Sequence, residues 1–279
     1  MNDIHRSFFL PFLSVVFAGL ASLPAIAADE SPWSEDVRSA VRLIAGSSKP
    51  GAAALRAGIE IKLRPGWKTY WRYPGDSGVP PHFDFAGSDN LKQADVLFPA
   101  PHLFVDETGQ SLGYKDTIIF PVVVTPKEKG KPVHLRMKVD YAVCEKLCVP
   151  AEGRAELLLS GGDSSQNASL AAAEAQVPKR VTAAQLGLTA RRANAGSKPV
   201  VTVELGAPAG KPLELFAEGP SPDWALPIPK PVKNPPPGRA EFTFALDGLP
   251  PGVDPKGQFD LTFTVVTGGR AVEVRSHLD

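Results

Sequence analysis

The sequence predicts an all-β protein, on three observations. Short runs that alternate apolar with polar residues recur along the chain, the pattern of strands with one buried face. Twenty-nine prolines and 25 glycines break those runs with turn signals such as Arg64-Pro65-Gly66 and Pro74-Gly75-Asp76-Ser77-Gly78. The candidate strands follow one another at the short intervals of an immunoglobulin-like sandwich. They do so in two successive runs, so two such sandwiches are expected, joined by a short helix and a connector.

The first element is a targeting segment. His5 and Arg6 form a short basic start, Phe8 to Leu23 is mostly apolar, and Ala25-Ile26-Ala27 fits a small-residue cleavage site. Residues 1–27 therefore read as a secretory signal peptide cut before Ala28. An uncleaved membrane anchor is the alternative, but the run is short for a span and Pro11 interrupts it. No later stretch approaches the ~20 apolar residues of a membrane helix. The mature chain is expected to be soluble, without membrane insertion, in an oxidising compartment.

Residues 28–163 should form the first sandwich. A short helix is expected at Ser34–Ile44, with Ser34 as its cap and Asp36 in its first turn. Strands are expected at Ala54–Leu63, Trp67–Arg72, Phe83–Phe85, Leu91–Leu97, Thr117–Val124, Val133–Val143 and Arg154–Leu159. Ala168–Gln176 is alanine-rich and reads as a helix stopped by Pro178. It belongs with a connector within residues 164–195. Val200–Leu205, Leu213–Ala217, Glu241–Leu246, Phe259–Val266 and Ala271–Arg275 are the strands of a smaller sandwich over residues 196–279, with a proline-rich loop from Pro220 to Pro237.

Charge says little about partners. Thirty basic and 30 acidic residues leave a formal net charge of zero. That gives no support for nucleic acid or an anionic membrane as a ligand.

The chemistry concentrates in Tyr141-Ala142-Val143-Cys144-Glu145-Lys146-Leu147-Cys148-Val149-Pro150. It holds the only two cysteines of the chain, three residues apart. Strands precede and follow it, so the cysteines flank a tight turn. Residues facing each other in an antiparallel pair have Cα atoms ~4.5–5.5 Å apart, a distance that a disulfide accepts. Val133, Leu135, Met137, Val139 and Tyr141 share the buried face, which puts Cys144 on the other. Counting back from Leu159, Leu157 and Ala155 puts Cys148 outside as well. Both sulfurs are therefore expected outward, in an exposed bridge.

Two readings follow. A structural disulfide is the plain one for an exported protein. Against it, a bridge between neighbouring strands cannot staple two sheets through the core. Its loop is worth only about 2 kcal/mol, against about 4–5 for a loop of a hundred residues. The other reading is thiol–disulfide exchange, in which one thiolate attacks a partner's disulfide and a second thiol resolves the mixed disulfide. Lys146 favours a thiolate and Glu145 opposes it. The spacing is not Cys-x-x-Cys and no βαβ pattern surrounds it, which argues against a thioredoxin-type enzyme.

Further motifs bring a resemblance. Gly66-Trp67-Lys68-Thr69-Tyr70-Trp71-Arg72-Tyr73-Pro74-Gly75-Asp76-Ser77-Gly78, Phe98-Pro99-Ala100-Pro101, Leu112-Gly113-Tyr114 and Tyr141–Pro150 together resemble the DsbD amino-terminal domain family, including its ScsB-like members. The resemblance covers about residues 50–160. It implies an immunoglobulin-like periplasmic domain without a cofactor, whose pair, here Cys144 and Cys148, relays electrons. The electrons would come from a membrane-embedded donor of the DsbD or CcdA type. They would pass to periplasmic thioredoxin-like proteins, including those of cytochrome c biogenesis, or to disulfide isomerases. Tyr70 matches an aromatic position beside the cysteines, and Phe104 to Tyr114 matches a loop that caps them. Glu107 and Thr108 stand about where the family has shielding aromatics, with Phe104 or Tyr114 as substitutes. No membrane or thioredoxin-like domain precedes Asp279, so the reductant is expected to be a separate protein.

Trp67, Tyr70, Trp71 and Tyr73 form an aromatic cluster that suits either core packing or partner docking. Tyr70, Trp71, Phe104 and Tyr114 are the partner-binding candidates. Two rivals to the relay remain. One is a non-catalytic interaction module whose disulfide only pins a hairpin. The other is copper or zinc binding by the cysteines with His82, His102 or His134, for which no local spacing speaks.

Overall fold

The computed structural model describes residues 28–75, 78–106, 109–195, 198–207 and 212–278. The expected signal peptide lies outside them, as do Asp76, Ser77, Glu107 and Thr108.

The chain opens with β1 (Ser34–Glu35) and β2 (Ser39–Ala45). The helix expected over Ser34–Ile44 is therefore a correction. β2 buries Ser39, Val41 and Leu43 in alternation and pairs along its length with β3 (Leu55–Leu63), from Ser39↔Leu63 to Ala45↔Ala57. β3 carries Ile59 and Ile61 on its buried side. Pairing with a β-branched strand outranks a local cap signal worth about 1 kcal/mol.

Then come β4 (Lys68–Gly75), β5 (His82–Asp84), β6 (Leu91–Val96), β7 (His102–Asp106), β8 (Gly109–Lys115), β9 (Thr117–Pro126), β10 (Val133–Cys144) and β11 (Cys148–Leu159). One sheet runs β1-β2-β3-β9-β6; the other runs β11-β10-β4-β8-β7, with β5 also on β10. The sheets face each other through Val41, Leu43, Ile59, Ile61 and Phe120 on one side and Leu135, Val139 and Leu157 on the other, all buried. Alternation places these side chains, because each strand keeps its apolar residues at every second position. A polar bond crosses the same interior: the Ser39 and Tyr141 hydroxyls lie 2.7 Å apart. Burial holds the Tyr141 hydroxyl above its ordinary pKa, so it stays protonated. Ser39→Ala leaves that hydroxyl short of a partner. We expect a loss of about 1 kcal/mol in a urea titration, with an unchanged m-value.

Helix α1 (Asn167–Gln176) follows. It is docked on β3. Leu170 is fully buried, and Arg56 holds the Glu174 carboxylate at 2.6 Å and the Asn167 side-chain oxygen at 2.7 Å. Next are β12 (Lys179–Arg180), α2 (Ala183–Leu186) and β13 (Thr189–Ala195). The stretch expected as a connector thus carries two strands and a helical turn, capped by Thr182 and Gln185. The remaining strands are β14 (Lys198–Gly206), β15 (Leu213–Glu218), β16 (Lys230–Pro231), β17 (Arg239–Ala245), β18 (Phe259–Thr267) and β19 (Arg270–Leu278). They form the sheets β12-β19-β18-β15 and β13-β14-β17-β16. Phe244 of β17 meets Phe263 of β18 edge-on at 6.5 Å, joining the two.

This second pair of sheets packs against β4. Trp71 lies 6.1 Å from Phe216, and the Tyr73 hydroxyl donates to the Leu226 carbonyl at 2.6 Å. Arg72 reaches Glu218 at 2.7 Å and Glu273 at 2.6 Å. The strand that carries Tyr70 is therefore gripped from the second half of the chain.

Candidate functional site

β10 and β11 form one long hairpin, paired residue by residue from Val133↔Leu159 to Cys144↔Cys148. The two cysteines close it as directly opposed residues. Their Cα atoms are 4.1 Å apart and their sulfurs are bonded. Glu145, Lys146 and Leu147 form the exposed turn between them, with Leu147 79% exposed.

The two sulfurs differ in access. Both cysteines lie on the sheet face opposite Val143 and Ala151. Cys148 is exposed, but Cys144 is only 2% exposed. The expectation of two exposed sulfurs is thus corrected for Cys144. The cause is Tyr70, which packs with Ala142 and Cys144 in a small apolar cluster of its own. Its hydroxyl donates to Cys144 Sγ at 2.8 Å and lies 3.0 Å from Cys148 Sγ. Burial, with the Asp106 carboxylate adding to it, raises the Tyr70 pKa above the usual phenol value, so the hydroxyl remains a donor. The backbone at Gly78 covers the ring: a Cβ there would fall 2.5 Å from Tyr70 Cε1.

Lys68 is the residue that sequence reasoning missed. It stands directly opposite Cys144 across β4 and β10, so the two side chains leave the same sheet face. Lys68 is 6% exposed. Its ammonium donates to Asp106 Oδ2 at 2.6 Å and to Ser111 Oγ at 3.1 Å. Two cations approach the Phe104 ring, with Lys68 Nζ 5.6 Å and Lys115 Nζ 4.8 Å from its centre. The segment expected as a cap, Phe104 to Tyr114, falls in β7 and β8, which extend the cysteine sheet beyond β4 and are tied to it by the Lys68–Asp106 pair. A signal was present in the sequence: Lys68 sits two residues before Tyr70 in a strand rich in aromatic residues, on the same face.

The other expected partner contacts fall in different places. Trp71 is fully buried against Phe216, and Tyr114 is 3% exposed with its hydroxyl on the Pro99 carbonyl at 2.7 Å. Both project to the inner side of their strands and pack in the core, which corrects the expectation that they meet a partner. Phe104 is half-buried beside Lys68. Among the described residues, no group of three or more His, Cys, Asp or Glu could hold a metal ion. No helix among them is long and apolar enough to cross a membrane.

The family described as thiol:disulfide interchange protein DsbD, N-terminal, matches residues 40–160, the stretch that builds the first two sheets and the cysteine hairpin. Over that stretch the chain is similar to the DsbD amino-terminal domain family. The fold extends the likeness beyond it. The crystal structure of the N-terminal periplasmic domain of ScsB from Proteus mirabilis superposes with a TM-score of 0.70 at 19% identity, over 90% of this chain and 99% of that one. No curated protein matches the chain in sequence. The family match and the bonded Cys144–Cys148 pair together support a thiol–disulfide interchange role for the first sandwich.

Proposed function

We propose that the protein is a periplasmic relay that passes reducing equivalents through Cys144 and Cys148 to exported partners with thioredoxin-like or disulfide isomerase folds. A membrane-embedded protein would re-reduce it. The observation that carries this reading is the asymmetry of the bridge. Cys148 is open to solvent, while Cys144 is buried under the Tyr70 hydroxyl. A bridge serving stability alone has no need of one accessible sulfur beside a hydroxyl donor.

In the reduced protein the Cys148 thiolate attacks a partner disulfide, forms a mixed disulfide and releases one partner thiolate. The Cys144 thiolate then attacks Cys148 Sγ, the mixed bond breaks, and the second partner thiolate leaves. Two electrons reach the partner, and the protons of Cys144 and Cys148 follow. In the recharging direction a donor thiolate attacks Cys148, and Cys144 leaves as thiolate beside the Tyr70 hydroxyl.

Single-cysteine variants test both the function and the order of attack. Cys144→Ala should accumulate mixed disulfides through Cys148, with no thiol left to resolve them. Cys148→Ala should trap few, because Cys144 is covered. Equal trapping by both variants contradicts the order. A bridge that stays closed in glutathione or dithiothreitol buffers poised down to about −300 mV contradicts the relay itself.

A further inference from the structure

Lys68 occupies a place that the exchange reaction leaves unexplained. An ammonium 6% exposed is costly to hold beside a neutral disulfide unless other charges compensate it. Asp106 does so in the disulfide form, at 2.6 Å. Opening the bridge changes the balance, because the outgoing electron pair puts a negative charge on Cys144 Sγ. Directly opposed residues on paired strands hold their Cβ atoms about 4.5–5.5 Å apart, and the lysine stem is flexible enough to bring its charge to that sulfur.

We propose that Lys68 is the positioning residue that sets a positive charge against the Cys144 sulfur when the bridge opens, with Asp106 as its counter-charge when the bridge is closed. The inference rests on the relay reading. It gives the Cys144 thiolate two partners, the Tyr70 hydroxyl and the Lys68 ammonium. A stabilised thiolate leaves faster when a donor attacks Cys148, and it is more abundant as the resolving nucleophile in the opposite direction. Release of Asp106 from Lys68 also loosens the hold on β7, so the state of the sulfurs and the fit of the β7–β8 hairpin become linked.

Several charged and titratable groups surround the sulfurs. From β4 come Lys68, Tyr70 and Arg72, the last of them taken up by Glu218 and Glu273, from β7 His102 and Asp106, from β8 Lys115, and from the turn Glu145 and Lys146. Lys115 lies over the Phe104 ring, and the Glu145 carboxylate is turned to Gly66. Farther along β10 and β11, Asp140 and Glu152 are both held by Lys138.

The test uses the full chain, reduced with a phosphine so that the bridge opens whatever its potential. Thiolate formation is followed by ultraviolet absorbance against pH. Lys68→Met should raise the lower thiol pKa by about one pH unit or more, and Lys68→Arg should restore most of that shift. Asp106→Asn should move it the opposite way, because it frees Lys68 for the sulfur. Loss of packing alone cannot produce opposite signs from the two members of one pair. A Lys68→Met titration that superposes on wild type overturns the inference, as does an Asp106→Asn shift in the same direction as Lys68→Met. Either result leaves the relay reading intact provided that the wild-type bridge exchanges with glutathione. Failure of that exchange removes the relay whatever the titrations give.

Discussion

Gly113→Ala is expected to unfold the site from behind, at a cost of roughly 3 kcal/mol. Gly113 lies on β8 directly opposite Tyr70 of β4. A Cβ there would sit 2.0 Å from the Thr69 carbonyl oxygen and 3.0 Å from the Thr69 carbonyl carbon. Both obstacles are backbone in the middle of a sheet, so no side chain can rotate away. The strands must part where Tyr70 is held, and Thr69 is itself fixed by its hydroxyl on the Ala142 carbonyl at 2.9 Å. Two readouts should move together. The melting temperature should fall by on the order of ten degrees. Cys144 should also react with an alkylating reagent faster in the reduced variant than in reduced wild type, as Tyr70 no longer seals it. Gly130→Ala is the control: a Cβ there meets nothing within 4 Å, so any loss comes only from its φ of +78°. A Gly113→Ala protein as stable as wild type would show that β8 can shift away freely.

The strands were legible where alternation reports burial, and that covers most of the cysteine sheet. Val133 to Tyr141 and Ala155 to Leu159 carry their apolar residues at every second position, and the parity drawn from them puts both sulfurs on the outer face. The covering of Cys144 was not legible in that way. It comes from a ring 74 residues away in sequence, and no local pattern encodes such a contact. Lys68 and Asp106 are 38 residues apart and meet for the same reason, by sheet pairing. Trp71 and Tyr114 misled because an aromatic residue suits a core and a docking surface equally well; only the strand's face decides between them. The segment 189–195 read as a connector because β13 is an edge strand. Thr189, Arg191 and Ala193 are exposed, and none of its described side chains is fully buried, so alternation had nothing to report. At Ser34–Ile44 the reverse holds: a local cap signal competes with the alternation of Ser39, Val41 and Leu43, and pairing with β3 decides for the strand.

The grip of the second half on β4 leads to the other large effect. Arg72 lies between two carboxylates, Glu218 of β15 and Glu273 of β19, each of them only 14% exposed in its side chain. Burial alone would lower the Arg72 pKa, but the bonds and charges of the two glutamates outweigh it and raise the pKa, so the guanidinium is always charged. It also stacks on the ring of its own neighbour Trp71, 4.6 Å from the centroid. Arg72→Met keeps much of the stem's bulk but leaves two partly buried carboxylates facing each other; Arg180, 3.3 Å from Glu273 and largely exposed, can compensate only one. Breaking such a cluster from one side costs about 3–5 kcal/mol, more than the ion pairs contribute as a set, because an uncompensated charge stays behind. Denaturant melts should show that loss. Adding Glu218→Gln and Glu273→Gln to Arg72→Met should recover part of it by removing the stranded charges. If the single variant loses less than about 1 kcal/mol, the triad behaves as an exposed surface pair and the second sandwich does not brace β4 through it. Arg72 is two residues beyond Tyr70 on the same strand. The brace therefore fixes the strand that presents both Tyr70 and Lys68 to the sulfurs, which gives the cysteine-free half of the chain a mechanical part in the chemistry of the other.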